Sequence, residues 1–259
     1  MKGLFTLLLW LLCLSAFAQK QKSTIEQIWF GYSNQTRFSD KWGIIADLNF
    51  RTRENYTQGL SQGLVQVGLT RYLDKIATRV TAAFTYVENF PGDNHPGISQ
   101  PELRPWQQIA WTKKRKPLRM SQSVRLEERF RRKLKNGNEL AHGYTFNYRL
   151  RYNVYFYEPL SKKAFAPHTF AAVWGDEVYL NFGKQIVYNT FDQNRIFLGF
   201  VYYPNRQDNL QFGYTYVFQQ LSRPKQYRIT HAPRITYIHS LDFRKTDKPR
   251  QKVSPLQNQ

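Results

Sequence analysis

The chain is almost without cysteine. Its 259 residues contain one, Cys13, inside an apolar N-terminal stretch, so a chain cleaved after that stretch has neither disulfides nor thiolate metal sites. Such a protein must fold by core packing or by a closed hydrogen-bonded architecture. Long apolar runs are also missing. A membrane-crossing helix needs about 20 consecutive apolar residues, and residues 4–18 form a shorter run than that, which excludes a bundle of transmembrane helices. Acids are scarce as well: 18 Asp and Glu stand against 38 Lys and Arg, a formal net charge of +20. No stretch repeats convincingly at 3.6 residues, so amphipathic helices are not expected.

Aromatic residues are present in quantity. The 19 Phe, 17 Tyr and 6 Trp run along the whole length, which argues against intrinsic disorder. The N-terminus reads as a leader. Met1-Lys2 is a short basic start, residues 4–14 are apolar, and Ala16 and Ala18 put small residues at the −3 and −1 positions of a cleavage site. This pattern predicts a secretory signal peptide, residues 1–18, cleaved after Ala18. Trp10-Leu11-Leu12, ahead of Cys13, lacks the small residue that lipoprotein processing requires, so no lipid anchor is expected.

Period-two alternation sets the fold class. Tyr144, Phe146, Tyr148, Leu150, Tyr152, Val154 and Phe156 are apolar or aromatic, with Thr145, Asn147, Arg149, Arg151 and Asn153 between them. The same alternation recurs in Trp42, Ile44, Ala46, Leu48 and Phe50, in Val80, Ala82, Phe84 and Tyr86, in Leu210, Phe212, Tyr214, Tyr216 and Phe218, and in Ile235, Tyr237, Leu241 and Phe243. The chain is all-β. Sandwich strands average about 5 to 6 residues, whereas a tilted membrane-spanning strand needs about 9 to 11, the length of these runs. Their polar faces carry charge, which suits a lumen, and their aromatic faces suit lipid. An up-and-down antiparallel transmembrane β-barrel is therefore expected over residues 19–243, with a polar, basic tail over 244–259.

Eleven strand segments can be placed, near 26–38, 42–52, 63–72, 76–88, 104–112, 118–131, 142–157, 168–182, 192–203, 209–219 and 228–243. Short links (39–41, 74–75, 113–117, 158–163 and 204–208) alternate with long ones (53–62, 89–103, 132–141, 183–191 and 220–227), as short periplasmic turns alternate with longer outer loops in such barrels. The count carries a conflict. Eleven is odd where bacterial barrels are even, and short periplasmic turns would start the first strand outside. Either a strand is missing, for instance near Gln185 to Tyr188, or one segment lies outside the barrel; about twelve strands are expected, with ten as the alternative. Phe243 supplies the terminal aromatic expected of a barrel inserted by an assembly machinery.

Four short segments carry a resemblance: Arg104-Pro105-Trp106-Gln107-Gln108, Arg125-Leu126-Glu127-Glu128-Arg129-Phe130, Tyr148-Arg149-Leu150-Arg151-Tyr152 and Phe191-Asp192-Gln193-Asn194-Arg195. In order and spacing the chain resembles the domain-of-unknown-function 2490 family of Bacteroidota, over about residues 27–243. The resemblance implies a signal peptide and an outer-membrane β-barrel. It implies no activity and supplies no catalytic residues.

The chemistry lies in the polar faces. Arg125, Glu127, Arg129, Arg149 and Arg151 fall on polar faces of neighbouring strands and should form a ladder inside the lumen, joined by Asp47 or Glu177. Such a ladder is either a basic constriction that attracts anions or a salt-bridged plug. Glu128 and Asp176 fall on apolar faces, where a charge facing lipid is costly; a register-shifting bulge or a position at the membrane interface is expected for them. The five histidines, His95, His142, His168, His231 and His239, show no metal-ligand spacing, and neither metal nor cofactor is expected. No Gly-x-Ser-x-Gly elbow accompanies Ser99 or Ser121, so an enzyme is not expected. The expected role is a porin-like outer-membrane protein: a narrow anion-preferring pore or transport component. The alternatives are a lipid-modifying hydrolase or acyltransferase using His95 or His142, and a structural envelope protein. Expected partners are outer-membrane lipids and the barrel-assembly machinery, to whose anionic surfaces the excess cations suit; nucleic acid is not expected, and the oligomeric state is open.

Overall fold

The computed structural model describes residues 21–244, apart from 54, 74–76, 93–96, 116 and 137. The leader 1–18, its cleavage site, His95 and the tail beyond Arg244 lie outside the described residues. Twelve strands follow one another: β1 (Gln21–Glu26), β2 (Trp29–Arg37), β3 (Trp42–Thr52), β4 (Leu60–Leu73), β5 (Thr78–Asn89), β6 (Gln100–Arg115), β7 (Leu118–Asn136), β8 (Glu139–Pro159), β9 (Thr169–Phe182), β10 (Phe191–Tyr203), β11 (Asp208–Gln220) and β12 (Gln226–Asp242).

From β2 to β12 each strand pairs antiparallel with the next, and β12 then pairs with β2 to close a barrel. The ring holds eleven strands. Because each hairpin reverses the chain, the first and last strands of an odd ring run the same way, and the closing ladder is parallel, from Arg234↔Trp29 to Asp242↔Arg37. The twelfth strand, β1, adds no wall: it continues β2 in the same register along β12, from Gln21↔Gln226 to Glu26↔His231. Between them the Gln27 amide donates to the His231 carbonyl (3.0 Å). The twelve strands expected are therefore present, and the odd count is real too. No strand forms near Gln185 to Tyr188, where Ile186 N–H turns back onto the Gly183 carbonyl (3.0 Å). The first and last described strands consequently end at opposite ends of the barrel, β1 at the end of the longer loops and the end of β12 at the short turns. Beyond β12, Arg244 pairs with Asp242 (2.6 Å) and with Asp40 (3.0 Å) of the β2–β3 turn, and these bonds raise the guanidinium pKa above its ordinary value.

One expected loop is also strand. Residues 132–136 and 139–141 are strand, because β7 and β8 run on as a protruding hairpin. Two register shifts, at Arg132/Leu134 and Leu134/Asn136, accommodate the extra twist. His142 is an exposed strand residue on this hairpin.

The barrel is apolar outside and polar inside. On β4, Val65, Val67 and Leu69 are exposed (51%, 58% and 46%) while Thr70 is buried (1%). Phe30, Ile44, Phe84, Ile196, Leu198, Phe200 and Ile235 likewise face out, whereas Glu102, Asn181, Asn209 and Thr215 are buried inside. Burying a large apolar side chain is worth about 1.5 to 3 kcal/mol, so this distribution is costly in water and favourable against hydrocarbon. Aromatic residues do not all face out, however. Trp29, Trp106, Tyr155, Tyr157, Tyr179, Phe197 and Tyr203 point inward. Near the short-turn end, Tyr157, Ala171, Val173, Phe197, Val201 and Tyr203 form an apolar cluster, against which Phe165 of the β8–β9 turn packs. The register partners Gly199 and Gly213 leave room there, since a Cβ on either would meet the Phe197 ring at 2.9 Å.

Neither outward acid sits on a bulge. Asp176 lies in an unbroken part of the β9–β10 register and accepts a bond from Asn194 Nδ2 (2.5 Å). Around Glu128 the β6–β7 pairing keeps its register but skips from Leu103↔Phe130 to Trp106↔Glu127. Pro105 lies in that gap and has no N–H to donate.

Candidate functional site

Alternation on β6 to β10 puts a ladder of ion pairs on one wall of the lumen. On β7, the outward side chains Val124, Leu126 and Phe130 leave Arg125, Glu127, Arg129 and Arg131 facing inward. The β7–β8 register sets Glu127 opposite Arg149 and Arg125 opposite Arg151. Glu102 of β6 is fully buried and accepts from Arg104 (2.8 Å), Arg129 (2.7 Å) and Arg131 (3.1 Å). Glu127 takes Arg149 (2.5 Å), with Arg104 and Arg125 at 3.8 and 3.9 Å, and Arg149 reaches on to Asp192 (3.1 Å). Glu177 takes Arg151 (2.8 Å) and the hydroxyls of Tyr155 (2.7 Å) and Tyr179 (2.5 Å), with Arg195 at 4.0 Å. Seven arginines thus share four carboxylates. The directly opposed Arg125 and Arg151 are held together by the acids on either side, Glu127 and Glu177.

Aromatic rings take up part of the surplus charge. Arg125 lies over Trp106 at 3.6 Å, and Trp106 Nε1 donates to Thr85 (2.9 Å). Arg234 lies over Phe197 at 3.8 Å, and Arg195 over Tyr179 at 4.6 Å. Each contact is worth about 0.5 to 2 kcal/mol, and none of them neutralises a charge.

Of the residues singled out in the sequence, Arg125, Glu127, Arg129, Arg149, Arg151 and Glu177 meet in this ladder. Asp47 also faces the lumen, but it stands on β3 across from the ladder and is held by Ser33 Oγ (2.6 Å) and Gln66 Nε2. Glu102, Arg104, Asp192, Arg195 and the inward rings were not read from the sequence. The signal for Glu102 and Arg104 was the alternation Gln100, Glu102, Arg104, Trp106, Gln108, which Pro105 obscures. Tyr179 shares the phase of Glu177, and that phase could have marked it. Ser121 and His142 sit at opposite ends of the barrel wall, Ser121 near the start of β7 and His142 near the start of β8, and do not meet.

The remaining wall carries Asp47 and the arginines Arg51, Arg79, Arg228 and Arg234 among mostly uncharged side chains. Ser33, Asn49, Gln66, Thr81 and Thr85 line it, and a cavity of about 1330 Å³ remains between the two walls. The cavity is flanked on the ladder side by arginines in excess of their acids.

No curated protein matches the sequence. Among solved structures, one titled as a NanC porin aligns over 78% of this chain and 96% of its own, with a TM-score of 0.43 and 13% sequence identity. The family profile described as "Protein of unknown function (DUF2490)" matches residues 26–228, most of the described barrel. The chain belongs to that family.

Proposed function

We propose that this protein resides in the outer membrane and forms a narrow pore that prefers anions. The observation that carries the reading is the cavity itself: a space of about 1330 Å³ inside an apolar-coated barrel, walled on one side by seven arginines that share four carboxylates. Basic rings in a pore favour anions because the low dielectric of the wall and lipid leaves their field weakly screened. The cavity that remains between the ladder and the facing strands supports a lined channel over a salt-bridged plug. Outer-membrane lipid is the partner that the exposed Val, Leu, Ile and Phe surface fits, and the barrel-assembly machinery is the natural route of insertion.

Solute entry into proteoliposomes tests the reading. The purified barrel should admit a small organic anion faster than a neutral solute of equal size. Equal exclusion of both by a correctly folded, heat-modifiable barrel would overturn it.

A further inference from the structure

Arg51 of β3 differs from the ladder arginines. Among the described residues it makes no ion pair, and its guanidinium lies over the Trp29 ring at 4.2 Å. Besides its burial and the Tyr179 hydroxyl, the groups that act on it electrostatically are the like charges of Arg195, Arg104 and Arg149. Arg195, reaching in from β10, also lies within 5.1 Å of the Trp29 ring. Among the described residues its carboxylate contact, Glu177, is 4.0 Å away, and its buried Nε has no hydrogen-bond partner. Trp29 is held in place for this: it packs on Val217 and Ala232 and its Nε1 donates to Gln27 (2.8 Å). Two guanidiniums from different parts of the wall thus converge on one indole, with donors left over and no carboxylate in bonding range of Arg51.

Like charges held this close are unfavourable unless a counter-anion joins them. Stacking occupies the face of a guanidinium and leaves its N–H edge free, and that edge matches the paired oxygens of a carboxylate or phosphate. We propose that Arg51 and Arg195, positioned by Trp29, form an oxyanion-binding subsite in the lumen for solutes that carry a carboxylate or phosphate group. The proposal deepens the pore reading, on which it rests for the delivery of the solute. The subsite differs from the ladder in having no resident acid to displace.

The test uses the full-length purified protein with glucuronate, glucose 6-phosphate and neutral glucose as probes, read by Trp fluorescence and calorimetry in detergent and by block of chloride current in bilayers. Glucuronate, glucose 6-phosphate or both should bind where glucose does not; which one binds identifies the oxyanion. Arg51→Gln should weaken that binding about tenfold, the loss of one charge-assisted hydrogen bond, while heat-modifiability and anion selectivity persist. Arg195→Gln serves as the second variant should Arg51→Gln not fold, and Lys135→Gln on the exposed hairpin should bind as the parent does. Undiminished oxyanion binding in a folded Arg51→Gln or Arg195→Gln barrel, or no oxyanion binding by the parent, would overturn the subsite. The two readings fail separately: binding without conductance removes the pore and keeps the subsite, and anion-selective conductance without Arg51-dependent binding does the reverse.

Discussion

Glu102 shows what a single carboxylate does in this lumen. It is buried and accepts from three arginines, so replacing it strands three cations in a low-dielectric wall. Glu102→Gln should cost about 3 to 5 kcal/mol, seen as a lowered denaturation midpoint in detergent. Glu139→Gln, at an exposed pair with Lys135, should leave the midpoint unchanged, since exposed pairs contribute little. A Glu102→Gln barrel as stable as the parent would mean that the ladder is not holding the wall. Alternation alone makes Arg125, Glu127, Arg129, Arg149 and Arg151 legible, because charges on a period-two strand must share the face away from its aromatics. Glu102 and Arg104 were harder to see because Pro105 breaks the polar-apolar rhythm. Trp29, Trp106 and Tyr179 were missed for another reason. An aromatic ring suits lipid on one face and a guanidinium on the other, so ring content does not by itself fix the side a residue faces.

Strand positions follow closely from hydrophobic patterning: the alternation over 42–52 matches β3 to its ends, and most other strands agree with their patterns to within a few residues. Pairing across the ends of the chain was not legible, because no local pattern distinguishes a parallel seam between distant strands from an antiparallel one. The seam is testable by cross-linking. Ser33 and Ile238 are register partners on β2 and β12, both lining the lumen, and adjacent strands lie within disulfide reach. Ser33→Cys with Ile238→Cys should oxidise to an intramolecular disulfide, with the barrel still heat-modifiable. Absence of the disulfide in a folded barrel would rule out this register. The β7–β8 hairpin makes a complementary case. Its outer part, residues 134–140, carries exposed polar residues beyond the ring, so replacing it with a short turn should leave heat-modifiability intact. A collapse of the fold would show that the hairpin contributes to the barrel.

At the scale of the whole molecule, composition and architecture agree. A chain too polar for membrane helices distributes its Phe, Leu, Ile and Val over the outside of a closed barrel and its Arg and Glu within. The odd ring gives the molecule a polarity, with β1 at the loop end and the end of β12 at the turn end. If the longer loops face outward, as in other barrels, an epitope placed just before Gln21 should be accessible on intact cells and one placed after Arg244 should not. The reverse labelling would invert the assigned orientation. The arginine excess in the cavity bears on function most directly, and the reversal potential of a reconstituted barrel in a potassium chloride gradient measures its consequence. A potential displaced toward the chloride equilibrium value is expected; a folded, conducting barrel whose potential lies toward that of potassium would contradict the assignment of an anion-preferring pore.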